Sequence, residues 1–457
     1  MIDILIVFLI LMTIISFYFS KKDYLSTPVV LNLAFLGMSV MAYIYKDVWL
    51  LDLSINTFLV ISLGIGSYCL AYFFYMNNAS SEKGKENIFI NKKRDIKIRK
   101  LIVPIFIIIE AISIYGSYNY MNEVSSLVIN TDDLVERIGA FHILVMSQDT
   151  NYVIPEKGRL FTWLGDFCKA GSLFYMYKFA YDLVNYKKIH ILYLEIVILS
   201  LCNVLLTGGR FDTVATIINF VVLYYVFVAR NKQWKLRLGY GKLIKYLIGL
   251  AVALLCFPLS MVLLGRSEMD ISFENIGDIL NNTFYDLAVY VGAELKLLDM
   301  FVTDIYVNKT YNDPFGSHTL PAIYNFIATN FDKPEWSNLA ANDIPFAAVN
   351  GHFLGNVYTM FCPYMIDFGY IGVVIFSAIM GLFFAYLYKR VRDGNTISKL
   401  NGIDMYLLIY AWLFYCVPLS FFSNWFYTLV APSLIRFFLF LIVCRFLLIK
   451  NYAVTDK

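Results

Sequence analysis

The sequence predicts an all-α integral membrane protein: one polytopic domain over 1–457, with about eleven transmembrane helices and a long, partly helical external loop at 265–362. Three observations predict it. The 457 residues are 59% hydrophobic and only 16% charged, against about 25% charged in ordinary soluble domains, and the mean hydropathy is +0.64. Apolar runs of roughly 20 residues, the length that crosses a bilayer, recur along the chain. Lysine and arginine collect in loops that alternate consistently with one topology. A soluble multidomain enzyme is excluded.

The runs lie at about 2–19, 27–45, 55–76, 101–118, 160–180, 189–206, 213–229, 246–264, 364–388, 403–422 and 428–448. Each is read as a helix, because an isolated apolar segment satisfies its backbone groups in lipid only in that form. The first run lacks a small-residue cleavage site and another span follows at once, so it reads as a retained helix rather than a signal peptide. No internal repeat or low-complexity stretch is apparent.

Orientation follows from the basic residues. Lys83, Lys85, Lys92, Lys93, Arg94, Lys97, Arg99 and Lys100 crowd the 77–100 loop, and Arg230, Lys232, Lys235, Arg237, Lys242 and Lys245 the 230–245 loop. Both loops are expected in the cytoplasm. The Lys21-Lys22 pair and the 389–402 loop fall on the same side if the spans alternate, which puts the N-terminus outside and the C-terminus inside. The opposite face receives the 119–158 loop and the long 265–362 segment.

That segment exceeds a simple connection. Phe273, Ile276, Leu280, Phe284, Leu287 and Val291 recur at helical spacing, which predicts an amphipathic helix. Pro314, Gly316, Pro321, Pro334 and Pro345 predict irregular turns in its second half. A partly ordered external cap over the bundle is expected.

The net charge of +3 is a small difference between 37 basic and 34 acidic residues, and no nucleic-acid partner is expected. The seven cysteines show no metal-ligand spacing, so neither a zinc site nor a disulfide framework is expected. Phosphate-loop, dinucleotide, zinc-protease and nucleophile-elbow motifs are absent, and no cofactor is expected.

Three polar features remain, all at the outer surface. Thr207-Gly208-Gly209-Arg210-Phe211-Asp212 forms a tight turn in which Gly208 and Gly209 permit close backbone approach and Arg210 stands at the lipid boundary. Leu264-Gly265-Arg266 repeats the arrangement on the next outward span. Two guanidinium groups at one face can clamp a diphosphate through bidentate donors; the alternative for each is a helix cap or a side chain reaching lipid headgroups. The third feature is Asn350-Gly351-His352-Phe353-Leu354-Gly355-Asn356-Val357-Tyr358-Thr359, followed by Asp367-Phe368-Gly369-Tyr370-Ile371-Gly372. His352 is a candidate general base, with Asp367 orienting it or doing the same work, and Asn356 and Thr359 are substrate-binding neighbours. Their alternatives are a structural loop histidine and a helix N-cap.

Thr27-Pro28-Val29-Val30, the Gly208-Gly209-Arg210 turn, and Asn356-Val357-Tyr358-Thr359 leading into Asp367-Phe368-Gly369-Tyr370-Ile371-Gly372 resemble the bacterial oligosaccharide repeat unit polymerases, the O-antigen polymerase (Wzy-type) family. The resemblance covers nearly the whole chain in topology. It implies a fold like that of C-type glycosyltransferases in the bacterial cytoplasmic membrane. It also implies transfer of a growing glycan from undecaprenyl diphosphate to the next lipid-linked repeat unit on the outer face, with Arg210 and Arg266 holding the diphosphate. A chain-length regulator protein is a further implied partner. Related ligases carry an H-N-x-x-L type sequence at the equivalent loop, where this chain has His352-Phe353-Leu354. The transfer is expected to be inverting and metal independent. Two alternatives stay open. Glu110, Asp166, Lys169 and Glu195 within spans suit a lipid-linked oligosaccharide flippase, and a polysaccharide ligase would share the topology.

Overall fold

A computed structural model describes residues 1–79, 97–147, 152, 154–155, 158–206, 210–235, 276–305, 315–331, 333–336, 346–393 and 403–449. The chain is nearly all helical, and six described helices are long and apolar enough to cross a membrane. These six are α1 (Ile2–Phe19), α2 (Thr27–Ile44), α3 (Ile55–Ala79), α4 (Ile102–Ser125), α8 (Arg210–Asn231) and α11 (Phe361–Asp393). Between and after them come α5 (Leu134–Ser147), α6 (Arg159–Tyr186), α7 (Ile191–Leu206), α9 (Ile276–Met300), α10 (Pro321–Asn330), α12 (Met405–Leu413) and α13 (Pro432–Leu448). The run at 246–264 lies outside the described residues. The chain forms two compact units.

The first unit comprises 1–87, 284–393 and 413–434. Its core is the packing of α3 along α11, where Gly381 meets the backbone oxygen of Tyr68 so closely that any side chain would collide. Helices α1 and α2 are tied by Asn32, whose Nδ2 donates to Met12 O at 3.1 Å and Ser16 Oγ at 2.9 Å. Pro28 pre-sets the first turn of α2. At the start of α3 Ser54 Oγ accepts from Thr57 N at 3.2 Å as its cap, and the buried Asp299 of α9 accepts from Ser54 N at 2.9 Å and Thr57 Oγ1 at 2.7 Å. Lys296 Nζ donates to Leu50 O at 2.8 Å.

The long segment departs from the sequence expectation in two ways. Helix α9 buries Leu287 but leaves Phe284 exposed, and from Gly292 to Leu295 it is buried on every side, because Gly292 lets it press onto the backbone of α2 at Ala42. The second half is not wholly irregular. Pro321 starts α10 from its first turn, and Asn350-Gly351, at φ 51° and 78°, closes a two-residue hairpin between β1 (Ala347–Val349) and β2 (His352–Gly355). The apolar run at 403–422 is also shorter as a helix than expected. It ends at Leu413 and continues as tight turns before Pro418, whose ring disfavours helix in the residue ahead of it.

The second unit comprises 88–283, 394–412 and 435–457. Helix α6 is its polar spine. It is 28 residues long yet carries Asp166, Lys169, Lys178 and Asp182. Lys178 Nζ and Asp182 Oδ1 pair at 2.6 Å while buried, and His190 Nε2 reaches Asp182 Oδ2 at 3.3 Å. Arg230 of α8 meets Asp404 at 2.5 Å, and Asp404 Oδ1 accepts from Leu407 N to cap α12. Asn203 of α7 donates to Ser113 of α4 at 2.8 Å. Helix α5 folds back on α4 through Met121, Val124, Ile138, Phe141 and Leu144.

Candidate functional site

Helix α11 is 33 residues long, about 50 Å at 1.5 Å per residue, and it is broken. Gly369 stands at φ 62° and ψ −152° inside it, a conformation open to glycine alone. Asp367 sits two residues before the break with its side chain 4% exposed.

A tight turn at 315–320 supplies its partners. Gly316 at φ 79° turns the chain, Phe315 packs edge-on against Phe368 with centroids 4.7 Å apart, and Tyr324 of α10 donates its hydroxyl to Phe315 O. Thus held, the turn aims two amides at the carboxylate: Thr319 N donates to Asp367 Oδ2 at 2.6 Å and His318 N to Oδ1 at 3.4 Å. His318 Nδ1 lies 3.3 Å from Asp367 Oδ1 and 3.3 Å from Ser317 Oγ. Ser317, His318 and Thr319 are all buried. Burial, and then the Asp367 charge, push the Tyr324 phenol above its ordinary value.

An imidazole whose Nδ1 lies beside a carboxylate is fixed in orientation and tautomer. The His318 side chain is 1% exposed, so the pair is enclosed between the turn and α11. Sequence reasoning missed His318; the only local signal was a histidine between Gly316 and Pro321.

The sequence-predicted residues fall in different places. Asp367 is engaged by the 317–319 turn, whereas His352 is half-buried on β2 with its ring 5.4 Å from that of Tyr285. Tyr285 belongs to an aromatic cluster with Tyr45 and Trp49. Asp367 is thus neither an N-cap nor bonded to His352. Thr359, buried at φ 27°, accepts from Phe361 N at 3.3 Å at the start of α11. Asn356 is half-buried in the turn after β2. Arg210 is the first residue of α8. Gly208, Gly209 and Arg266 lie outside the described residues, as does the Arg210 side chain. Among the described residues no group of three His, Cys, Asp or Glu is placed to hold a metal.

One further carboxyl stands apart. Glu294 of α9 is 2% exposed and its Oε2 has no hydrogen-bond partner; burial pushes it well above the ordinary carboxylate range.

The fold and this site define a multi-pass helical membrane protein with a buried carboxylate and histidine at a helix break. No protein-family model, curated protein or solved structure matches the chain.

Proposed function

We propose that the chain is a membrane glycosyltransferase that joins undecaprenyl-diphosphate-linked oligosaccharide repeat units into a surface polysaccharide on the outer face of the bacterial cytoplasmic membrane. The observation that carries the reading is the Asp367–His318 pair beside Gly369, because it couples a proton acceptor to a broken helix within a chain of apolar helices. The distribution of basic loops in the sequence supports a topology with the N-terminus outside, in which the 265–362 segment with His318 faces outward.

In this reading the acceptor sugar hydroxyl gives its proton up at the Asp367–His318 pair, with Asp367 as the ultimate acceptor, and its oxygen attacks the anomeric carbon of the growing glycan. The bond from that carbon to the lipid diphosphate breaks, and the diphosphate leaves with the electron pair. By the sequence resemblance alone, Arg210 and Arg266 are the residues expected to hold that diphosphate. One in-line displacement inverts the anomeric centre. No metal is called upon.

Deletion of the gene tests the reading. Loss of a polymerase leaves single repeat units exported and attached, without chains; full-length polymer in the deletion strain refutes it. A flippase is the second reading, favoured by Glu110, a carboxyl buried within the span α4 beside the Cys168 thiol. Its loss would trap the units inside.

A further inference from the structure

Helices α6, α8 and α13 of the second unit bring four charged side chains together. Lys169 Nζ lies 2.8 Å from Asp212 Oδ2. Arg436 meets Asp166 Oδ2 through Nε at 2.6 Å and Nη2 at 2.5 Å. Asp212 is the second residue of the span Phe211–Asn231, so the cluster stands at a membrane border rather than at mid-depth.

Stability does not account for it. The Lys169 and Asp212 side chains are 43% and 50% exposed, and Arg436 and Asp166 33% and 24%. Pairs this open hold a fold together less than enclosed ones do, whereas charges on apolar helices are costly unless they face water or a polar ligand. Contrast the buried Lys178–Asp182 pair farther along α6, whose side chains are 8% and 2% exposed. That pair is closed, and the border cluster is open.

We propose that Lys169 and Arg436 form an exchangeable cation pair that binds the phosphate-bearing headgroup of a lipid, releasing Asp212 and Asp166 in doing so. A phosphate group offers more oxygens and more charge than one carboxylate. The Arg436 fork also matches two phosphate oxygens where it now meets one carboxylate oxygen. Arg210 precedes Asp212 by two residues at the start of α8. Under the polymerase reading, on which the identity of the lipid rests, the headgroup is the diphosphate of the carrier. Bulk anionic phospholipid presents the same chemistry.

The test uses the full chain in nanodiscs, with undecaprenyl diphosphate and phosphatidylglycerol as separate probes and retention read by native mass spectrometry. Lys169→Met and Arg436→Met are each expected to weaken undecaprenyl diphosphate binding about tenfold or more, one to two charge-assisted contacts being lost. The decisive variants remove whole pairs: Lys169→Met with Asp212→Leu, and Arg436→Met with Asp166→Leu. A merely structural pair tolerates neutral replacement, so wild-type binding in both double variants overturns the proposal. So does failure of the wild type to retain either probe. Cation-dependent retention of phosphatidylglycerol alone upholds the headgroup site and removes the carrier lipid from the polymerase reading.

Discussion

Thr319 donates its backbone amide to Asp367 Oδ2 at 2.6 Å across 48 positions of sequence. With the His318 amide and ring beside it, this bond docks the 315–320 turn onto the broken helix α11. The carboxylate therefore has two duties: it satisfies two buried amides and it orients an imidazole. Substitutions can separate them.

Asp367→Ala removes both, and each orphaned buried amide costs about 1–3 kcal/mol, so loss of folded protein is expected. Asp367→Asn keeps an acceptor oxygen for Thr319 while removing the charge, and His318→Asn removes the imidazole alone. Both are expected to lower turnover on the order of 100-fold at matched protein abundance. Polymer length distribution in membranes measures this, and wild-type chains in both variants would return the pair to a structural role.

His352 separates packing from catalysis. Its ring sits against Tyr285 in an aromatic cluster, and β2 holds it opposite Val349. His352→Phe is expected to preserve chain length because it preserves an aromatic contact. His352→Ala is expected to loosen the hairpin, read as faster proteolysis near Phe346. A loss of turnover on the order of 100-fold in His352→Phe, with the protein intact, would instead restore His352 as the general base.

Glu294 gives a stability prediction with a definite sign. Its folded-state value is raised by burial, above the roughly 4.3 of a free glutamate. The stabilisation of the neutral form is therefore complete below that free value and is lost as pH rises through the folded-state value. Glu294→Gln, neutral at every pH, is expected to unfold at a temperature that falls less between pH 5 and pH 9 than that of the wild type. Parallel curves in a thermal shift assay would show that the carboxyl is not held neutral.

The helices were legible in the sequence because an apolar run of about 20 residues has one way to satisfy its backbone in lipid. The run at 364–388 lies within α11, and α1 matches 2–19. The break at Gly369 was not legible, since a glycine inside an apolar run is equally compatible with unbroken helix. Asn350-Gly351 carried a readable hairpin signal, hidden by the prolines around it. Asp367 was legible as a candidate, but its partner was not. His318 lies 49 positions away, and only the folded turn at Gly316 brings the two together.

Arg210 carries the last prediction. It opens α8, two residues before the Asp212 that pairs with Lys169, and follows Gly208 and Gly209 in the sequence. The N-terminal end of a helix favours an anion, whether a diphosphate or a lipid headgroup. Lysine supplies the same charge but only a point donor, and cannot reproduce the bidentate fork. If Arg210 binds a diphosphate, Arg210→Lys is strongly impaired and Arg210→Ala more so, with both proteins inserted and abundant. A headgroup anchor tolerates lysine, because it needs only a long stem with a positive end. Chain length measured in membranes matched for protein level distinguishes the two, with Arg266→Lys alongside. Wild-type chains in Arg210→Lys would leave the diphosphate to other cations, of which Lys169, paired with Asp212 of the same helix, is a described candidate.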